Sequence, residues 1–339
     1  MQKLTLSFAA WDYDRILPLV NGKVKIEGIN LIYLPLYVTE ILYRMMKNKE
    51  FDVAEMSLGG YIQSLTSKDK PFIAIPVFPL RMFRHRSIYV NVNSVREVED
   101  LKGKIVGVPE YRQTAAVWIK GIMEEYYGIP VNSVTYYMGK LERETWDLSK
   151  TDEVKLWRND IKLIRIPEEK NLSEMLEKGE IDALYSAITP SCFLRGSKSV
   201  RRLFSNYYDE ERRYFERTRI FSIMHVIVIK REVYEENPWI ALSLYKAFLK
   251  AKRVAYHELR EKTGTAVKYM LPWLDYYVDE TVKIMGEDFW PYGVKATYHE
   301  VITFLKYIYN QGIIDKVFKP EEIFASETLE DPPLEEINN

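Results

Sequence analysis

Asp100-Leu101-Lys102-Gly103-Lys104-Ile105-Val106-Gly107-Val108-Pro109, followed closely by Thr114-Ala115-Ala116-Val117-Trp118-Ile119-Lys120-Gly121-Ile122-Met123, decides the fold class. The first stretch reads as a turn around Gly103 and then a short apolar strand. The second has the apolar spacing of a helix, with Thr114 near its N-cap. Repeated along a chain, strand followed by helix implies a largely parallel sheet with helices on both faces.

The alternation extends in both directions. Upstream, Leu4 to Ala10 is a strand in which Thr5 and Ser7 alternate with Leu4, Leu6 and Phe8, and Gly28 to Leu34 is the next. Val38 to Lys47 places Ile41, Leu42, Met45 and Met46 at helical spacing. Phe51 to Met56 is a short strand, punctuated by Gly59-Gly60 before another helix, and Phe72 to Phe78 is a buried strand. Downstream, Ile161 to Ile166 is a strand. Asn171 and Glu174 form a capping-box variant that opens a helix to Lys178, where Gly179 stops it, and Ile181 to Tyr185 is a strand again. Two longer apolar strands, Ser87 to Val92 and Ile220 to Ile229, are expected to lie side by side as crossing strands that link two halves. Helices over Trp239 to Ala255, Thr281 to Met285 and Thr297 to Gln311 complete the chain. The expected architecture is α/β and two-lobed: residues 1–93 and 220–339 form a discontinuous first lobe, and residues 94–219 a continuous insert. Ligand is expected in the inter-lobe cleft, beyond the carboxyl ends of the strands.

Composition sets the outer limits. A chain of 339 residues suggests about two domains. Lys plus Arg is 48 against 49 for Asp plus Glu, a net charge of −1, which gives no global field for nucleic acid or an anionic membrane. One cysteine, Cys192, excludes an internal disulfide and any multi-cysteine zinc site, and is expected as a small buried hydrophobe. No stretch approaches the ~20 apolar residues that span a bilayer. The opening apolar run gives way at once to Trp11-Asp12-Tyr13-Asp14-Arg15, so it does not read as a signal peptide, and a cytoplasmic protein is expected. The acidic tail from Ala325, with Glu327, Glu330, Asp331, Glu335 and Glu336, is expected to be loosely held. Phosphate loops, dinucleotide glycines and serine elbows are absent.

Asp100 to Val108 with Thr114-Ala115-Ala116 resembles the second lobe of type 2 periplasmic binding proteins, which implies a clamshell with two crossing hinge strands. A narrower resemblance runs through Arg84-His85-Arg86-Ser87-Ile88-Tyr89-Val90, Tyr214-Phe215, Phe221-Ser222-Ile223-Met224-His225, Asn237-Pro238-Trp239-Ile240-Ala241, Leu271-Pro272-Trp273 and Trp290-Pro291-Tyr292-Gly293. These blocks are similar to the 4,5-dihydroxyphthalate decarboxylase family and span nearly the whole chain. The resemblance implies a carboxy-lyase acting on a hydroxylated aromatic acid, with a small aromatic carboxylate as partner. Ser186-Ala187-Ile188-Thr189-Pro190 departs from the pattern by an apolar residue where an Arg is expected, and Arg195 is the nearby substitute.

Such a decarboxylation runs without a cofactor when the ring itself takes the charge. A deprotonated hydroxyl para to the carboxylate pushes electrons into the ring, an acid protonates the carbon, and carbon dioxide leaves. The site then needs an anion holder, a base and an acid. Phe78 to Arg86 is the densest candidate loop, with Arg81 and Arg84 to hold a carboxylate and Arg86 left to solvent. His85 is the expected acid–base residue, with His225 in the second crossing strand either opposite it or simply structural. Glu110 is a further catalytic candidate, in a strand-to-helix loop where Arg112, Thr114 and backbone amides are expected to hold the substrate anion. Trp11 and Asp12 lie beyond the first strand, Glu55 interrupts an otherwise apolar strand, and Tyr185 ends another; all are assigned to substrate binding. Asp14 is read as a helix cap, and His257 and His299 as surface. No metal is assigned, although His85, His225 and one carboxylate leave a divalent ion open. A homo-oligomer is possible from sequence, and so are two other functions. One is a solute-binding protein of an ABC-type transporter for a small aromatic or pyrimidine-like ligand. The other is an enzyme of different chemistry on the same scaffold.

Overall fold

The structure is a computed structural model and describes residues 3–143, 154–260 and 268–333. The chain divides into two compact units. The first comprises Met1–Arg81, His225–Val301 and Lys319–Asn339, and the second Met82–Met224 and Ile302–Phe318.

In chain order the first unit supplies β1 (Leu4–Ala9), α1 (Leu17–Val20), β2 (Ile29–Leu34), α2 (Val38–Asn48), β3 (Val53–Ser57), α3 (Leu58–Ser64) and β4 (Phe72–Ile75). The second supplies β5 (Ile88–Asn91), β6 (Ile105–Val108), α4 (Thr114–Glu125), β7 (Thr135–Met138), β8 (Lys162–Arg165), α5 (Leu172–Lys178), β9 (Ala183–Tyr185), α6 (Ser191–Leu194), β10 (Val200–Arg202) and α7 (Tyr207–Thr218). The chain then adds β11 (His225–Lys230), α8 (Arg231–Glu236), α9 (Trp239–Arg260) and α10 (Leu274–Met285) to the first unit, and ends its helices with α11 (Tyr298–Asn310).

The first unit is built on a five-stranded sheet in the order β2-β1-β3-β11-β4. β1 runs parallel to β2 and β3, while β11 is antiparallel to both of its neighbours. β3 is central, and Val53, Ala54, Glu55 and Met56 are all buried. The long helix α9 covers this sheet, with Ile240, Leu244, Tyr245 and Phe248 buried and Phe248 packed edge-on against Phe8 of β1. The second unit has a six-stranded sheet in the order β10-β5-β9-β6-β7-β8, parallel from β9 to β8 and antiparallel at β5. Here Asn171 caps the helix as its residue type dictates, although only half of the capping box forms: its side chain accepts from the Glu174 amide at 2.9 Å, and Gly179 closes the helix at φ +74°.

Three expectations change. The two long apolar strands are not neighbours: β5 bonds to β9 and β10 in one sheet, and β11 to β3 and β4 in the other. Apolar length shows that a strand is buried but not which strand it joins. Nor is the second unit a continuous insert over 94–219. It begins at Met82, and it takes in Ile302–Phe318, because the apolar face of the last helix belongs under α4. There the Trp118 ring lies 5.4 Å from Phe304 and 5.6 Å from Tyr307, and Gln311 donates to the Val117 carbonyl at 2.8 Å. Thr114 is the first residue of α4, whose N-cap is Gln113. The acidic tail is held as far as residue 333: Tyr234 donates to Glu327, Tyr245 to Asp331, and Phe324 bridges to Ala74. Glu335 and Glu336 lie outside the described residues. No helix among the described residues is long and apolar enough to cross a membrane.

Candidate active site

In the first unit the sheet register builds a dyad. β11 and β3 are antiparallel, with His225 opposite Ser57 and Ile227 opposite Glu55. Directly opposed residues share a face and so do their diagonal neighbours, which brings Glu55 and His225 side by side. The His225 Nδ1 lies 2.5 Å from Glu55 Oε1. Glu55 is fully buried, and an isolated carboxylate there would be costly. Three donors offset that cost. Besides His225, the Tyr13 hydroxyl donates to Oε1 at 2.7 Å and the Trp11 amide to Oε2 at 3.2 Å.

The loop after β1 supplies both donors, and Arg15 fixes it. The Arg15 Nε donates to the Pro79 carbonyl at 2.7 Å, and its guanidinium lies over the rings of Tyr13 at 4.3 Å and Trp290 at 4.2 Å. Burial, reinforced by the Glu55 charge, pushes the Tyr13 phenol far above its ordinary range, so it stays a donor. Because Nδ1 faces a carboxylate, the imidazole carries its proton there and presents Nε2, which has no partner among the described residues. Beside this dyad the aromatic surface is open: Trp11 is 42 % exposed and Tyr37 61 %, with ring centroids 5.8 Å apart. Asp12 is exposed, and its charge, after burial, helps push the Tyr33 phenol up to about 12. The Tyr33 hydroxyl has no hydrogen-bond partner. Of the residues gathered here, Trp11, Asp12, Glu55 and His225 are expected from the sequence, and Tyr13, Tyr33 and Tyr37 are not. Only the crowding of aromatics around Trp11 and Asp12 marked that neighbourhood.

Arg81 does not join them. It is buried and ion-paired to Glu300 at 3.2 Å, and it donates to the Pro291 carbonyl at 2.7 Å. Its charge is spent inside the fold.

In the second unit His85 sits in a short 3-10 turn, His85–Ser87, boxed by Tyr214, Phe204 and Tyr127 at centroid distances of 4.9, 5.6 and 6.0 Å. Neither ring nitrogen has a hydrogen-bond partner among the described residues. Burial drives its pKa down to about 4; the Glu210 charge opposes this and Arg86 adds to it. An imidazole neutral at pH 7 and enclosed by rings is poorly placed as a proton donor. Arg84 next to it is buried, donating to the Met224 sulfur at 3.0 Å and the Ser87 hydroxyl at 3.4 Å. Arg86, expected in solvent, is instead bonded to the buried Glu211 through Nε at 3.0 Å and Nη2 at 2.5 Å.

The loop after β6 is self-contained: Glu110 accepts from the Arg112 amide at 2.9 Å and from Nε and Nη2 at 3.0 and 3.1 Å. Thr114 and Tyr185 are buried, and the Tyr185 hydroxyl has no partner. Arg195, the substitute for the missing family Arg, is exposed and paired with Glu177 at 3.0 Å. Asp14 pairs with Arg15, the α1 N-cap is Ile16, and His257 and His299 are exposed. Cys192 is buried, and burial raises its thiol pKa, away from nucleophilic use. His85 and His225 fall in different units, and no group of three His, Cys, Asp or Glu among the described residues is arranged to hold a metal ion.

Two mixed sheets with this strand order define a protein of the periplasmic-binding-protein fold. A crystal structure assigned as the periplasmic sulfonate-binding protein SsuA of a Methylobacillus flagellatus ABC transporter matches with a TM-score of 0.53, covering 95 % of this chain and 92 % of the other. At 12 % identity that likeness concerns the fold alone. No family model matches the chain. Curated relatives do. Over 332 residues, 97 % of this chain and 99 % of the relative, it is 35 % identical to 4,5-dihydroxyphthalate decarboxylase of Comamonas testosteroni. Over 205 residues, 60 % of this chain and 78 % of the relative, it is 41 % identical to the Pseudomonas putida protein of the same name. The chain belongs to the 4,5-dihydroxyphthalate decarboxylase family.

Proposed function

We propose that the protein decarboxylates a hydroxylated aromatic acid of the 4,5-dihydroxyphthalate type, with His225 as the acid and Glu55 holding it. The observation that carries the assignment is the buried Glu55 carboxylate 2.5 Å from His225 Nδ1, which leaves Nε2 without a partner. A carboxylate behind an imidazole fixes its tautomer and stabilises the imidazolium.

The chemistry follows. The hydroxyl para to the departing carboxylate is deprotonated, and charge flows through the ring to the carbon that bears the carboxylate. Protonated His225 delivers the Nε2 proton to that carbon, and the carbon–carbon bond breaks. Its electron pair restores the aromatic ring, carbon dioxide leaves, and solvent returns a proton to His225. Trp11 and Tyr37 give the ring an aromatic surface to stack on. Asp12 is the exposed carboxylate nearest in sequence to that surface and is the assigned base for the hydroxyl. The ring receives the charge, so the reading includes no resident cofactor, and it takes the protein as cytoplasmic.

The test is carbon dioxide release from purified protein offered hydroxybenzoates, 4,5-dihydroxyphthalate and unsubstituted phthalate. Release from the dihydroxy acid and none from phthalate is expected, because phthalate lacks the para hydroxyl. Tight binding of one panel member with no release from any would make the protein a solute-binding protein instead.

A further inference from the structure

We propose that the second unit carries an anion-binding site of its own at Arg84, and that its ligand is an organic carboxylate. Arg84 is 4 % exposed, yet no carboxylate among the described residues lies within ion-pairing reach of it. Its contacts are the Met224 thioether at 3.0 Å, the Ser87 hydroxyl at 3.4 Å, and nothing at Nη2. A thioether is a weak acceptor and 3.4 Å is a long bond, so the guanidinium keeps most of its donor capacity unused.

Three other cations of this unit differ. Arg86 holds Glu211 at two of its nitrogens, so that carboxylate is not available to Arg84. Arg112 has Glu110. Lys120, also buried without a carboxylate, is satisfied by the Tyr111 carbonyl at 2.8 Å and by the Tyr111 ring beneath its ammonium. Arg84 alone among these four is left short of acceptors. Burying a charge without its counter-ion is destabilising, and a carboxylate arriving from outside would relieve that cost.

Position within the unit agrees. β5 is antiparallel to β9, with Ile88 opposite Tyr185, and the Ser186 amide donates to the Ser87 carbonyl at 3.1 Å. Arg84 therefore precedes β5 at the edge where β9 ends, and the carboxyl edge of the parallel strands is where open α/β sheets take their ligands. A planar fork at that edge matches a carboxylate in two parallel bonds. The proposal rests on the decarboxylase reading only in taking the anion to be an aromatic carboxylate.

Binding of phthalate and benzoate to the full chain, measured by calorimetry, tests it. Phthalate is unreactive by the para-hydroxyl argument, so binding is read apart from turnover. Arg84→Met should weaken phthalate binding by at least about tenfold, the loss expected for a charge-assisted contact. Its unliganded melting temperature should equal or exceed the parent's, because an uncompensated buried charge is gone. Arg84→Lys keeps the charge without the fork and should bind with intermediate affinity. Unchanged phthalate affinity in Arg84→Met overturns the proposal, as does a parent that binds neither anion. An Arg84→Met that does not fold, together with an Arg84→Lys that binds like the parent, overturns it too by making Arg84 a scaffold residue. If no acid is decarboxylated yet phthalate binding still depends on Arg84, the decarboxylase reading falls and the anion site stands.

Discussion

His85 gives the protein a specific acid sensitivity. An imidazole closed in by Tyr214, Phe204 and Tyr127, with no partner on either nitrogen, has its pKa down at about 4. In the unfolded chain it returns to about 6.5. Above pH 6.5 it is neutral in both states and contributes no pH dependence. As pH falls below that value the unfolded chain takes up a proton that the folded one refuses, so stability declines until the folded pKa is passed. The loss comes to about 2 kcal/mol by pH 5 and about 3 kcal/mol by pH 4. His85→Phe replaces the imidazole with a ring suited to an aromatic box and cannot titrate. Urea unfolding of both proteins at pH 7, 6, 5 and 4 isolates the term, because every other titrating group is common to the pair. The difference between parent and variant should widen in favour of the variant by about 3 kcal/mol from pH 7 to pH 4. Parallel stability curves would refute the assignment and show that His85 is protonated and partnered in the folded state.

The dyad makes a second prediction: His225→Asn should lower turnover by about 10²–10⁴ while phthalate affinity stays near the parent's. Arg81→Ala should leave Glu300 buried without its partner and cost on the order of 3–5 kcal/mol in urea unfolding. Gly121→Ala places a methyl 2.1 Å from Tyr307 Cδ2, so it should destabilise the second unit by about 1–3 kcal/mol, seen as a lowered midpoint.

Much of the fold is legible in the sequence because its signals are local. The N-cap at Asn171, the stop at Gly179 and the buried strands Val53–Ser57 and Ile105–Val108 follow from spacing and residue type within a few positions. Strand partners are another matter. Ile88–Asn91 and His225–Lys230 share an apolar character, and nothing in either segment says that one bonds to Ala183–Tyr185 and the other to Val53–Ser57. The C-terminal helix was legible as a helix, but its place beside Trp118 depends on a fit between Gly121 and Tyr307 that is visible only when both are in position.

The candidate site divides along the same line. Glu55 stood out because a carboxylate inside an apolar strand must have a reason, and it was expected to reach ligand or meet a buried Arg. Its partner proved to be His225, 170 residues away. Phe78 to Arg86 drew attention for the opposite reason: three arginines and a histidine in nine residues promise an anion site. Sequence counts charges, however, and a binding site is made of charges that remain uncompensated. Arg81 has Glu300, Arg86 has Glu211, and His85 is kept neutral by its aromatic box. Of the four, only Arg84 is a charged group with no ion pair of its own among the described residues. The loop's positive charge thus comes down to a single guanidinium, and the affinity of this unit for carboxylates should respond to that side chain far more than to its neighbours.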